Sequence, residues 1–337
     1  MVDTEIKAGG SPTSSPATIY VVVPVYNEQE VVDQFYARFI EVINGMPMNF
    51  RLLFVNDGSD DSTATSLFTL HQSDERVEIL ELSRNFGKEI ALTAGLDHVD
   101  GDAAIVMDVD LQDPPELIPS LVEKWHEGYD VVYARRLSRQ GDGIIKRFFA
   151  HMFYRSIARM TNVKIPKDTG DYRLLSRRAV RAVTQLREQH RFMKGLFAWI
   201  GFSQVEVAYH RKPRSGGRTK WSFWKLWDLA VEGFTSFTIL PLKVATYLGL
   251  GVAFFSFAYA AWVVIRTLLY GDPVAGYPSL MVVILFLGGV QLIAIGIVGQ
   301  YLGRMFNETK RRPLYFVARH LCSQSTDGAG ESDRSTM

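Results

Sequence analysis

The stretch IVMDVDLQDPPE, residues 105–116, runs an apolar segment into three aspartates and a glutamate. Asp108 and Asp110 flank a single valine at the end of a strand-like pattern, and alternation along an extended chain sends both carboxylates to the same side. Two hard oxygen ligands placed so can hold Mg2+ or Mn2+, and the ion in turn can neutralise a diphosphate. Gln112 and Asp113 offer a further oxygen, and Pro114 and Pro115 stiffen the exit. A lone Asp-x-Asp is equally the pattern of a solvated acidic turn, so its companions must decide.

Those companions are PVYNE (24–28) and VNDGSDDST (55–63). Tyr26 offers a ring on which a base can stack, and Asn27 and Glu28 offer an amide and a carboxylate for its polar edge or a ribose. Asp57 can do the same from the next strand end, while Ser59 and Asp60 also fit a turn and helix cap. Later, Arg211, Arg214, Arg218 and Lys220 cluster around the glycines of RSGGRTK (214–220), a group able to clamp phosphates. The same charges suit a membrane surface. DTGDYRLLSR (168–177) brings together Asp168, Asp171 and Arg173. The seven histidines have no metal-ligand spacing, no serine pairs with a suitable histidine, and there is no Walker loop, so double displacement and ATP hydrolysis have no support.

These residues need a scaffold. Apolar runs at 19–24, 51–56, 77–82, 103–108 and 130–134 read as strands separated by amphipathic stretches, which implies a mostly parallel α/β sheet with helices on both faces. In such sheets ligands bind beyond the carboxyl ends of the strands. Pro24 to Glu28, Asp57 to Ser59, Asn85 to Lys88 and Asp108 to Gln112 follow the first four strands in turn.

The chain has 337 residues, 47% of them hydrophobic, and a net charge of +1, so it can bury a sizeable core and has no overall field for nucleic acid. Its single cysteine, Cys322, excludes a disulfide framework and a cysteine zinc cluster, and fits a reducing compartment. Residues 1–18 and 323–337 read as disordered tails. Two uncharged stretches, 244–265 and 280–302, are each long enough to cross a hydrocarbon layer of ~30 Å. Transmembrane helices are expected at 242–269 and 280–303, joined by an extracytoplasmic loop at 270–279. Lys225 and Lys243 precede the pair and Arg304, Lys310, Arg311 and Arg312 follow it, which places both termini and the whole domain at 19–215 on the cytoplasmic side. Trp224, Trp227, Val231, Phe234 and Phe237 fall at helical spacing within 216–241, as in a helix lying in the membrane interface, and 143–160 is a second such candidate. Residues 304–337 are expected to be a cytoplasmic segment and tail.

PVYNE, NDGSDDST, RNFGKE and DVDLQDPPE, in this order and spacing, resemble family 2 glycosyltransferases with the GT-A fold. Within them the chain resembles the polyprenyl-phosphate branch that includes dolichol-phosphate mannose synthase. Its strongest resemblance, through NFGKEIALTAGLDH, GDYRLLSR, FMKGLFAWIG, WKLWDLAVEGFTSF and FLGGVQLIAIGIVGQYLGR, is to the bactoprenol glucosyl transferases of phage-type O-antigen modification. The resemblance runs from about Tyr20 to Phe316. It implies a GT-A, Rossmann-like domain in which Pro24, Tyr26, Asn27, Glu28, Val55, Asp57, Lys88, Asp108 and Val109 hold the nucleotide sugar, and Asp108, Asp110 and Gln112 hold Mg2+ or Mn2+. Arg135, Arg173, Arg211, Arg218 and Thr219 would meet the acceptor phosphate, and Asp110, Asp171, Arg214 and Lys220 would serve catalysis. In the family's R-x-x-G-x-S-K loop this chain has Arg218 where Glu is frequent and Thr219 for the serine.

The activity so implied is inverting transfer of one hexose, glucose from UDP-glucose, to undecaprenyl or another polyprenyl phosphate at the cytoplasmic face of the inner membrane, by a homo-oligomer as large as a tetramer. A processive polysaccharide synthase shares the early motifs but would carry Q-x-x-R-W, which Gln189-His190-Arg191-Phe192 does not match. A membrane-anchored UDP-sugar-binding scaffold would need neither Asp171 nor the basic loop.

Overall fold

The computed structural model describes residues 16–137, 169–189, 191–209, 240–270 and 276–322. Within these, β1 (Thr18–Val25), β2 (Asn49–Asn56), β3 (Val77–Leu82), β4 (Ala103–Val106), β5 (Val131–Arg136), β6 (Thr169–Ser176), β7 (Gln204–Tyr209) and β8 (Val317–Leu321) form one sheet in the order β7-β5-β6-β4-β1-β2-β3-β8. The strands β4, β1, β2 and β3 are mutually parallel, as are β5 and β7. β6 runs antiparallel between β4 and β5, and β8 runs antiparallel to β3.

Strand alternation divides the core in two. Ile19, Val21 and Val23 of β1 join the layer under α1 (Val32–Ile43), α2 (Thr63–Ser73) and α4 (Ile118–His126). Val22 joins the opposite layer under α3 (Lys88–Asp97), α5 (Arg177–Gln185) and α6 (Met193–Trp199). α1 presents Val32, Phe35, Phe39 and Ile43 as one buried helical stripe, and each enclosed phenylalanine contributes roughly 2 kcal/mol by leaving water. α3 lies close on the sheet because residue 95 is glycine: a Cβ there would overlap Val22 and come within 2.9 Å of Val55 Cγ2.

Four strands differ from the sequence reading, among them β7 (Gln204–Tyr209), which was not expected as a strand. β4 stops at Val106, two residues before the expected end, because the chain turns beyond it. β6 was not apparent as a strand because Asp171 and Arg173 lie within it, and both are buried. β8 falls in the 304–337 segment, before the tail expected from 323, where no strand was expected, and it covers β3, which otherwise would be an open edge.

The two expected spans lie within α7 (Leu240–Tyr270) and α8 (Tyr277–Thr309), which pack together. At 1.5 Å per residue their 31 and 33 residues reach about 46 and 50 Å. Pro278 stands in the first turn of α8, where its missing N–H costs no helix hydrogen bond, and residues 271–275 of the expected loop lie outside the described residues. Among the described residues, Phe286–Thr309 is long and apolar enough to cross a membrane, and none of its most apolar window is buried. Phe254, Phe255 and Leu268 of α7 are likewise exposed. The domain meets α8 at its end: Gln189 N donates to Glu308 Oε1 (2.7 Å) and Gln189 Nε2 to the Arg312 carbonyl (2.6 Å).

Candidate active site

Four loops meet beyond the carboxyl ends of β1 to β4. The first two are fastened to each other: Asn27 N donates to Ser59 Oγ (3.1 Å), Asp60 N to Asn27 Oδ1 (2.9 Å) and Glu28 N to Thr63 Oγ1 (3.0 Å). Asn27 adopts φ +54°, a left-handed conformation that asparagine tolerates well. Tyr26 is exposed beside this junction. Pro24 is the next-to-last residue of β1 itself.

Asp57 fixes the third loop. Its two carboxylate oxygens accept from Phe86 N (2.7 Å) and Gly87 N (2.8 Å). Burial raises its pKa, and these two N–H groups with Arg84 act against that rise. Gly58, at φ +67°, allows the close passage: a Cβ there would sit 2.5 Å from the Arg84 carbonyl carbon. Asp57 thus holds the RNFGKE turn through the carboxylate expected to meet the nucleotide.

The turn delivers Lys88 to the first position of α3. Lys88 Nζ contacts both oxygens of Asp108 (2.6 and 2.8 Å) and Asp171 Oδ2 (2.8 Å). The two carboxylates meet just beyond the last β4–β6 pair, Val106 with Arg173: Asp171 still lies in β6, and Asp108 lies in the turn after β4. Burial opposes the Lys88 charge, but Asp108 and Asp171 outweigh it and raise its pKa. Asp171 stays low despite burial because Lys88 and Lys194 hold it ionised. Asp108 is pushed up by burial, with Lys88 opposing and Asp171 adding to the rise. Asp171 Oδ1 is buried without a hydrogen-bond partner. One ammonium between two carboxylates leaves surplus negative charge.

The acidic loop is braced from the far strands. Tyr209 Oη donates to Asp113 Oδ1 (2.6 Å), Arg136 lies 3.5 Å from the same oxygen, and Tyr172 Oη donates to the Pro114 carbonyl (3.1 Å). Gln112 N donates to Asp110 Oδ1 (3.1 Å), and Leu111 between them has φ +56°. A leucine there costs about 1 kcal/mol of backbone strain, the kind stored where a side chain must be aimed. Asp108 and Asp110 therefore owe their placement to this turn and not to strand alternation, since β4 has already ended. The donors still fit a hard divalent cation: Asp108 and Asp110 are half-buried carboxylates, Gln112 adjoins them, and Asp108 already attracts the Lys88 charge.

Several expected contacts are placed differently. The Val55 and Val109 side chains are buried in the core and do not line the crevice. Arg173 turns inward: it donates to the carbonyls of Gly170 (2.8 Å) and Asp171 (3.2 Å) and lies over Phe197 at 4.1 Å, and burial lowers its pKa to about 10. It supports the main chain of Asp171 and is not presented to a phosphate. Arg135 is half-exposed and pairs with Glu206 at 3.0 Å. Arg211, Arg214, Arg218, Thr219 and Lys220, the interfacial stretch before Leu240, the second candidate at 143–160, and Asp168 lie outside the described residues.

Sequence reasoning missed Glu89, Lys194 and the Asp113–Arg136–Tyr209 brace. Glu89 Oε2 accepts from Met193 N (2.9 Å), and burial followed by the nearby Asp171 pushes its carboxyl up to about 6. Its adjacency to Lys88 within RNFGKE was the available signal; Lys194 arrives from about a hundred residues away, and its place in FMKGLFAWIG was the signal for it.

Comparison with known proteins gives a glycosyl transferase family 2 match over residues 20–184 and a GtrB C-terminal hairpin match over 240–305. The chain is 53% identical over 298 residues to the uncharacterized glycosyltransferase sll0501 of Synechocystis sp., covering 88% of this chain and 94% of that protein. It is 50% identical over 299 residues to the bactoprenol glucosyl transferase of Shigella phage SfV, covering 89% and 97%. Among solved structures, a mannosyltransferase from Pyrobaculum calidifontis in complex with GDP-Man and Mn2+ aligns with 15% identity over 90% of this chain and 78% of that one, at a TM-score of 0.43.

Proposed function

Since the chain belongs to glycosyl transferase family 2, we propose that it transfers one glucose from UDP-glucose to a polyprenyl phosphate, undecaprenyl phosphate in the first instance, with inversion at the anomeric carbon. The observation that carries this reading is the Lys88 ammonium between Asp108 and Asp171, with one Asp171 oxygen buried and unpartnered at the open end of the sheet. The printed name of the phage relative, a bactoprenol glucosyl transferase, supports the lipid acceptor and the sugar.

Asp108, Asp110 and Gln112 would hold Mg2+ or Mn2+. Bound there, such an ion supplies charge neutralisation for the diphosphate. The rest is work for the chain's own groups. Tyr26, Asn27 and Glu28 bind the uridine on the loop that Ser59 and Thr63 fasten. Lys88 exchanges part of its contact with Asp108 for a donor phosphate oxygen. Asp171 orients the acceptor or a sugar hydroxyl. An acceptor phosphate oxygen then forms its bond to the anomeric carbon as the bond to UDP breaks, and UDP leaves with the electron pair. A phosphate monoester has a second pKa of about 6, so the nucleophile is largely a dianion at neutral pH and needs no strong base. Arg214, Lys220 and the rest of the basic loop would close over the phosphates.

In the same reading α7 and α8 cross the inner membrane, the domain and both termini face the cytoplasm, and the interfacial stretch brings the lipid head group to the sheet edge. The product serves cell-surface glycan modification, and the chain works as a homo-oligomer. A donor panel tests the substrate assignment: with undecaprenyl phosphate and Mg2+, UDP-glucose is expected to outpace UDP-galactose, UDP-N-acetylglucosamine and GDP-mannose. Preference for another donor would overturn the sugar. Nucleotide-sugar binding without lipid-dependent turnover would overturn the reaction.

A further inference from the structure

The end of the sheet opposite the crevice carries donor side chains for which the transfer reaction has no use. β8 pairs with β3 so that Leu80 faces His320 and Ile79 faces Leu321, and one step further brings Glu78 beside Cys322. His320 and Cys322 are two apart on an extended chain and so share a face. One donor atom from each of Glu78, His320 and Cys322 lies within 4.8 Å of the other two. Cys322 Sγ is 3.4 Å from His320 Nε2. Bonds of ~2.3 Å to sulfur and ~2.1 Å to nitrogen at a tetrahedral zinc put those atoms roughly 3.5 Å apart.

A second imidazole stands next to His320. His98, just past α3, has its ring centroid 5.1 Å from that of His320. Its Nδ1 lies 2.7 Å from the Ala94 carbonyl, which holds the proton on that nitrogen and leaves the lone pair on Nε2. Glu78 is buried, with Arg51 3.8 Å away as its counter-ion.

We propose that Glu78, His320 and Cys322, with His98 as fourth ligand, form a zinc site that clips the C-terminal strand β8 onto β3. One thiolate and imidazole nitrogens select a borderline-soft ion over Mg2+, and thiolate with carboxylate balance its two positive charges. The ligand set differs in kind from the all-oxygen set at Asp108, Asp110 and Gln112. Because β8 follows α8 directly, the clip also ties the end of that helix to the sheet.

The test uses the full chain in detergent, stripped of metal by a chelator and titrated with Co2+ under excess Mg2+. Cys322 is the single cysteine, so a thiolate-to-cobalt absorption band has one source. The expected result is a band that saturates at one Co2+ per chain and is displaced by Zn2+. Cys322→Ser and His320→Ala should abolish it, and Asp110→Ala should keep it. Zinc should also slow amide hydrogen exchange across 317–321 at least about tenfold, as a closed clip raises the local opening energy. Absence of the band from folded wild-type protein, its persistence in His320→Ala, or exchange unaffected by zinc would each overturn the proposal.

Discussion

Lys88 Nζ lies 2.8 Å from Asp171 Oδ2, joining two residues 83 positions apart in the chain, and the same ammonium touches both oxygens of Asp108. This side chain puts positive charge between a carboxylate in β6 and one in the turn after β4.

Removing it should therefore cost stability as well as chemistry, because the two carboxylates lose the ammonium between them. For Lys88→Met, kcat/KM for UDP-glucose is expected to fall by about 100-fold or more, the usual loss for one preorganised donor at developing charge. Lys88→Arg should recover part of it. Steady-state UDP release measures both, and near-normal turnover of the methionine variant would remove Lys88 from the site.

Asp171→Asn distinguishes orientation from base catalysis. If Asp171 orients, kcat should fall less than about 100-fold and the acid limb of the pH–rate profile should remain, because it reports ionisation of the acceptor phosphate near pH 6. Loss of that limb in the variant would make Asp171 the base.

Glu89 gives a stability prediction with a definite sign. Its carboxyl is raised from 4.5 to about 6 in the folded chain, chiefly by burial and then by Asp171. The folded state therefore holds that proton more tightly than the unfolded state, and the stability so gained is lost as pH rises from 4.5 through about 6. Glu89→Gln keeps an acceptor for Met193 N and removes the titration. Its melting temperature relative to wild type should rise across that pH window, and a flat difference would contradict the assignment.

Asp57→Ala should release Phe86 N and Gly87 N together. Two partly buried donors left unpaired cost about 1–2 kcal/mol, and the RNFGKE turn would loosen under Lys88. Thermal unfolding and kcat/KM are both expected to drop, with Asp57→Asn intermediate. An Asp57→Ala chain that melts like wild type would contradict the bracing role.

How much of this was legible in the sequence varied with the kind of residue. Val77–Leu82 matches its apolar run residue for residue, and the loops after β1 to β4 fall close to where strand ends required them, because a strand buried on both faces leaves a short continuous apolar run in the sequence. β6 left none: Asp171 and Arg173 interrupt the pattern, and their burial depends on Lys88 and Phe197 elsewhere in the chain. The same limit applied to Val55 and Arg173. Each stands in a motif, but burial on the α3 side of the sheet turns both side chains away from the crevice. Glu78 and Cys322 lie far apart in sequence, and only the antiparallel pairing of β8 with β3 makes them neighbours.

The central claim is that this crevice transfers sugar to a lipid phosphate, and the most direct measurement follows a labelled glucose. Purified full-length protein, UDP-glucose, Mg2+ and undecaprenyl phosphate should yield UDP and lipid-linked glucose in equal amounts, and Asp110→Ala should yield neither. UDP release that does not depend on the lipid, or normal product formation by Asp110→Ala, would contradict it.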